Sequence, residues 1–452
     1  MNIHASVAAA LAGDRHALVY LAVHRFNWPK ADVALLHCGE LNAAARLQEQ
    51  ARRLIAPRSS AAIVPGIVGD HPYNVIAQLQ RCLNHDDAVA GALCANGHIA
   101  HSHPVGAVVA YREHISVMGV GIDVGRGGLA MRTDMRFRDV KDRIGDVFDG
   151  VAREVEFDRG HPCWTVDLRS EHMSDKFYED KDAWRAADAA PLVYRARGQF
   201  GTIGGGDHHI AIYREMEMGV PEADSAVWVG VQTGSRGFGA RLAAIYLQRA
   251  GGRLGADAPP TLLHQDTDLA RGYLAAMHLA GRFAQASRIQ IAEIMLDNMR
   301  AREVARVHNV HNFAWREEVT GGPAWVVRKG CTPAKPGERV FIGASIGDDA
   351  MIVEGVAGEQ NTALLATTIS GGGRAMSRSA ASRHRFTHAQ MAAWFKERDV
   401  VRRGGRLNDS PMVHRRLAEV LPAHASSVRV LHTLKTVAIA MAGEGSPRSR
   451  LV

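Results

Sequence analysis

Apolar and polar positions along this chain alternate between two rhythms. Residues 1–56 carry apolar positions at helical spacing, ending in the run "LNAAARLQEQARRLI", and predict helix, loop and helix. The apolar stretch Ser6–Gly13 is short and has no Lys or Arg before it, so it reads as helix rather than signal peptide. Residues 60–135 switch to short runs rich in Gly, Val and Ile, such as "PVGAVVAY" and "ISVMGVGIDV", which predict strands joined by tight turns. Residues 136–198 return to helical, charged sequence. "FGTIGGGDHHIAIYRE" and "SAVWVGVQTGSRGFG" again read as strands ending in Gly-rich turns. The Gly-, Pro- and Asp-rich segment 251–268 predicts a surface loop, and a helical stretch follows from Leu269 to about Val307. Residues 311–372 read as strand-rich, and the remainder alternates helix and strand before the basic tail "GEGSPRSRLV".

No internal repeat or clear linker interrupts this pattern. It predicts an α+β architecture with mixed sheets and surrounding helices. The expected division is an N-terminal helical segment (1–60), a main domain (61–443) with a helical insertion at about 251–307, and a tail (444–452).

Composition narrows the class. The chain has 452 residues, 46% hydrophobic and 22% charged, as in folded globular proteins. It has no 18-residue apolar run, so no transmembrane helix and no membrane partner is expected. The net charge is +7 and only eight of the 54 basic residues are Lys. Arg makes forked contacts to phosphate, so an anionic partner such as nucleic acid fits; GC-rich coding produces the same bias. The five cysteines form no C-x-x-C pair, which excludes a zinc ribbon and fits a reduced, cytoplasmic protein.

Six Gly-rich segments bring His, Asp or Arg to the ends of expected strands: "NGHIAHSHPVG" (96–106), "GVGIDVGRGG" (119–128), "GTIGGGDHHIAI" (201–212), "GVQTGSRGFG" (230–239), "VHNVHNFAWRE" (307–317) and "ISGGGRAMSR" (369–378). Glycine lets backbone approach a ligand and exposes N–H groups to anions. Singly, each is compatible with ordinary turn chemistry. His308 and His311, three apart, could share a helix face. Together the segments point to a site for metal and phosphate.

In this order, from about Asn96 to Gly443, these segments resemble the RtcB family of RNA ligases. The resemblance is strongest in "GVGIDVGRG" with "MRTD", "QFGTIGGGDHH", "GSRGFG", "HNFAWRE", "RKGCTPAKPGERVFIGASIGDDAMIVEG" and "GGGRAMSR". It implies the family's distinctive α+β fold. It also implies joining of RNA 3′-phosphate or 2′,3′-cyclic phosphate ends to 5′-hydroxyl ends with GTP and Mn²⁺, through a guanylylated histidine.

The resemblance also marks departures. The family turn has an Asp and, three residues later, a metal-bridging Cys; here Asp123 is kept and Arg126 replaces the Cys. His208 and His311 keep metal-ligand positions, while Gln232 replaces a third His. Asp207 replaces a nucleotide-contacting Asn and Ala211 a Glu. Ser345, Gly371 and Gly373 stand with Asp207 at nucleotide-contacting positions. Arg236, Arg374 and Arg378 stand where the family binds phosphates, and Ser370 occupies the place of the guanylylated His. Ala95-Asn96 replaces a Pro-Asp pair upstream of His98, and Ala442-Gly443 stands where better-known members place a Lys before the Gly.

Two readings of the metal position follow. Either one ion sits on Asp123, His208, His311 and Gln232, or Arg126 supplies the charge instead. Three functions remain open. The chain is a ligase with altered chemistry, in which Ser370 is activated by His98, His101, His103 or His209. Or it is a pseudo-ligase holding RNA 3′-phosphate ends or other phosphorylated ligands. Or it catalyses a different phosphoryl reaction. An activating protein and the oligomeric state are likewise left open.

Overall fold

The computed structural model describes residues 6, 9–24, 28, 30–55, 66–157, 175–343, 346–376 and 386–443. The expected boundary at residue 60 and the tail 444–452 lie outside the described residues.

An eight-stranded sheet dominates. Its order is Arg339–Ile342, Ala350–Gly355, Val428–Met441, His209–Met216, Ala226–Thr233, Gly127–Arg136 and Glu303–Val310, with Val401–Arg403 pairing the long strand Val428–Met441. Successive side chains of a strand face opposite ways, and the core divides accordingly. Leu129, Met131, Ile210, Ile212, Val227, Val229 and Val231 pack on one face with Phe148, Ile291 and Met295. Ala130, Ala211, Tyr213 and Trp228 pack on the other with Phe341, Met391 and Phe395. This explains why "AVWVGVQT" reads as a nearly unbroken apolar run: all eight residues are buried.

A second sheet of five strands runs Gly66–Ile67, Ala88–His98, Val105–Tyr111, Gly322–Lys329 and Asn312–Val319. The N-terminal helices Arg15–His24, Lys30–His37 and Leu41–Ile55 close on a core of their own, including Leu18, Leu21, Leu36 and Leu47.

The helical stretch read over Leu269–Val307 is helix over Asp268–Met299. Thr267 Oγ1 caps its start by accepting from Ala270 N, and Arg300 ends it in the left-handed conformation (φ 60°). Residues Glu303–Val310 are strand instead, paired along Gly127–Arg136. "EVARVHNV" has no strong propensity either way, and sheet pairing decides it. The helix lies within two cores, contributing Tyr273, Met277 and Phe283 to one and Ile291 and Met295 to the other.

Candidate functional site

Sheet register gathers the expected site residues at one end of the large sheet. Gly128 pairs with Gln232 and Gly127 with Val310, while His209 also pairs with Gln232. Arg126, Asp207, His208 and His311 each lie within two residues of these paired positions. They line a cavity of about 450 Å³ together with Asp123, Gln232, Ser370, Gly371, Gly373 and Arg374. Arg236 reaches this group through His208. Ser345 and Arg378 lie outside the described residues.

The centre of the cavity is a chain of paired charges. Arg126 Nη2 donates to Asp207 Oδ2 at 2.5 Å, and Arg126 Nε lies 3.9 Å from Asp123 Oδ2. Asp123 Oδ2 in turn meets His208 Nε2 at 2.9 Å. An ionised carboxylate only accepts, so the His208 proton sits on Nε2. On the other side of the ring, Nδ1 lies 3.1 Å from Arg236 Nη1 and 3.2 Å from the Ile203 carbonyl. Burial alone would raise the Asp123 carboxyl, but His208, Arg126 and Arg236 outweigh it and hold it below the usual carboxylate range. Burial disfavours the Arg126 charge, and Asp207 and Asp123 more than restore it.

His308 and His311 do not share a helix face. His308 lies in the strand Glu303–Val310 and receives Arg288 Nε at 2.9 Å. His311 follows that strand and lines the cavity, and burial and then Arg126 and Arg288 hold it neutral.

The donor set does not fit a divalent cation. Asp123 and His208 face each other through a proton, Arg126 puts a guanidinium where the resemblance places a thiolate, and cation repels cation. Among the described residues no group of three or more His, Cys, Asp or Glu is arranged to hold an ion. The four residues expected to hold a single metal, Asp123, His208, His311 and Gln232, meet in one cavity.

The loop carrying Ser370 is wedged between backbones. A Cβ at Gly372 would collide with the Arg415 carbonyl; Gly373 has φ +76° and faces the Asn96 carbonyl. Ser370 Oγ donates to Gly330 O at 2.8 Å, so its proton goes to a carbonyl rather than to a base. Arg374 is anchored on the turn 407–409, donating from Nη2 to Asn408 O at 2.9 Å and lying 3.4 Å from Asp409 Oδ1.

Of the four expected bases, His98, His101 and His209 line the cavity. His103 does not; it is buried against Tyr111, its Nε2 lying 3.0 Å from the phenol oxygen. His98 and His209 each place Nδ1 3.0 Å from a backbone carbonyl, of Asn96 and Asp207. Burial lowers both to about 4, leaving Nε2 of each as a neutral acceptor.

Three cavity-region residues escaped the sequence reading. His414 also lines the cavity, with Nδ1 3.1 Å from Ser410 O. Arg288 is wholly buried and donates from Nη1 to Gly125 O (2.9 Å) and Thr233 O (2.7 Å). It thus pins the Asp123 turn and the Gln232 strand end to the long helix. Lys329 lines the cavity from the end of the strand Gly322–Lys329. Its motif "RKGC" reads as strand and turn, and only the presence of a Lys in an otherwise Arg-dominated chain signals more.

Comparison with known proteins agrees with this architecture. A family profile described as "tRNA-splicing ligase RtcB" matches residues 78–442. The "RNA-splicing ligase RtcB" of Escherichia coli strain K12 is 24% identical over 392 residues, covering 76% of this chain and 88% of that protein. The "tRNA-splicing ligase RtcB" of Thermococcus kodakarensis is 26% identical over 426 residues, covering 79% and 84%. That of Pyrobaculum aerophilum is 27% identical over 374 residues, covering 68% and 77%. A match over most of the chain, with an α+β fold of several sheets, places this protein in the RtcB family.

Proposed function

We propose that this RtcB-family chain binds phosphate-bearing RNA ends in the cavity around Arg126, and that it does so without a divalent metal or a guanylylated residue. Arg126 carries this reading. It stands among the residues the resemblance assigns to metal binding, and it brings a fixed positive charge there. Only Nη2 is committed to Asp207; Nε is buried without a hydrogen-bond acceptor. A guanidinium at the cavity wall suits a phosphate oxygen.

The cavity wall adds to this. The guanidiniums of Arg126 and Arg374 and the amine of Lys329 line it with the carboxylates of Asp123 and Asp207. Ser370 directs its hydroxyl to the Gly330 carbonyl rather than to a histidine, which speaks against an activated serine. RNA is the substrate class shared by the names of the relatives. The four described cysteines, Cys38, Cys82, Cys94 and Cys331, are free thiols, which suits a reducing compartment. Among the described residues no helix is long and apolar enough to cross a membrane.

The test compares two oligoribonucleotides that differ only in a 3′-phosphate or a 3′-hydroxyl, with EDTA present. The 3′-phosphate form should bind at least tenfold more tightly, and binding should weaken steeply with salt. Equal affinities sink the reading. So does a covalent label from GTP and Mn²⁺ that disappears in Ser370→Ala, because that would make Ser370 a working nucleophile.

A further inference from the structure

Lys329 is a buried amine that the reading so far leaves without a role. It is 7% exposed and lines the cavity. Its Nζ donates to two backbone carbonyls, His101 O at 2.8 Å and His103 O at 3.0 Å. Among the described residues no carboxylate pairs with it. Its Cε lies 3.6 Å from where a Cβ on Gly121 would stand, on the same turn as Asp123. That carboxylate already faces His208 and Arg126. The two carbonyls fix the amine's direction. They take both hydrogens of a neutral amine, or two of the three of an ammonium. One position on Nζ remains for a ligand.

A buried amine without a counter-ion is either neutral or awaiting an anion. We propose that Lys329 is the group through which this cavity recognises a dianionic phosphate monoester, and that Nζ takes up a proton from solvent as the anion arrives. The proposal rests on the phosphate-binding reading above and specifies its ligand: a terminal monoester, doubly charged, rather than an internal phosphodiester. In the free protein the neutral amine avoids an unpaired buried charge. With the monoester present, the ammonium gains the counter-ion it lacks, so anion and proton bind together.

The surroundings leave Lys329 as the titrating group near neutral pH. Burial lowers the amine to about 7. The groups facing it come from the helix Tyr73–Leu83 and from the loop 99–104. Burial pushes the Cys82 thiol up to about 12, lowers His103 to about 3, and lowers His101 below its ordinary value. On the Gly121 turn, Asp123 stays ionised. None of these changes charge near pH 8.

The test is calorimetric titration of a trinucleotide ending in a 3′-phosphate, at pH 8, in two buffers of different ionisation enthalpy. A phosphate monoester titrates near 6, so at pH 8 the ligand is already dianionic and contributes no proton. The unsubstituted protein should take up about nine-tenths of a proton per ligand bound, as an amine titrating at about 7 requires. Lys329→Arg, always charged, should bind without proton uptake. Lys329→Met should lose at least tenfold in affinity and also show no uptake. It leaves the His101 and His103 carbonyls without their donor, so its melting temperature is measured first and binding is compared below it, while Lys329→Arg, which keeps a donor, carries the proton-uptake readout. Proton uptake unchanged in either variant overturns the role of Lys329 alone. Absence of binding by the unsubstituted protein overturns this proposal and the phosphate-binding reading together.

Discussion

Arg126 Nη2 lies 2.5 Å from Asp207 Oδ2, and this pair closes the space between the turn at 123–126 and the turn at 204–208. The resemblance marks both positions as departures, a cation where it implies a thiolate and a carboxylate where it implies an amide. The two changes compensate in charge, which is why the pair is stable in a partly buried setting: the side chains are 18% and 29% exposed.

Replacing Arg126 by Met leaves Asp207 and Asp123 without their shared cation. A fall in unfolding free energy of about 2–3 kcal/mol is expected, at the lower end for a broken buried pair because water still reaches both partners. Binding of 3′-phosphate RNA should fall at least tenfold. The double variant Arg126→Met with Asp207→Leu should regain most of the stability and none of the binding. Denaturant unfolding and equilibrium binding separate the two effects.

Ser370→Ala removes one hydrogen bond to Gly330 O. The expected cost is about 1 kcal/mol in stability, the usual net value of such a bond. Affinity for 3′-phosphate RNA should change less than threefold. A loss of tenfold or more would place the Ser370 hydroxyl on the ligand.

Arg288 acts on the cavity from behind. Arg288→Met leaves the carbonyls of Gly125 and Thr233 without their donor. Stability should fall by about 2–4 kcal/mol, since buried acceptors lose a charged partner. Ligand binding should weaken as the Asp123 turn and the Gln232 strand end loosen. Hydrogen exchange should quicken at residues 123–127 and 231–234; protection unchanged there would show that Arg288 serves packing alone.

Acid should destabilise the fold before the carboxylates titrate. His424 is fully buried and its Nε2 accepts from Ala95 N at 3.1 Å, and burial lowers it to about 4. The unfolded chain protonates it near 6.5. Between those values the unfolded state binds the extra proton, so stability rises with pH across this window and is lost as pH falls from 6.5 to 4. The loss attributable to His424 is about 3 kcal/mol. His103, lowered to about 3, acts in the same direction. His424→Gln should flatten the slope of unfolding free energy against pH by close to one proton; an unchanged slope would refute the assignment.

Much of this was legible in the residues. The alternation in "HIAIYREM" and the unbroken run "AVWVGVQT" specify strands, because side-chain direction alternates strictly along a strand and central strands are buried on both faces. The six Gly-rich segments marked the cavity, because turns at strand ends need residues without a Cβ. The motif order identified the family.

The sequence by itself therefore determined the fold class and the family, and it marked the Gly-rich segments that line the cavity. Tertiary structure decided what those residues do to one another. That Glu303–Val310 is strand rather than helix follows from pairing with Gly127–Arg136, a contact across more than 160 positions that local propensity cannot contain. That Asp123 and His208 satisfy each other, that Arg126 turns to Asp207, and that Ser370 donates to Gly330 all depend on distances of about 3 Å between segments far apart in the chain. Lys329 shows the difference most clearly. In "RKGC" it is one basic residue among 54. Folding removes it from water and gives it two carbonyls and, among the described residues, no carboxylate.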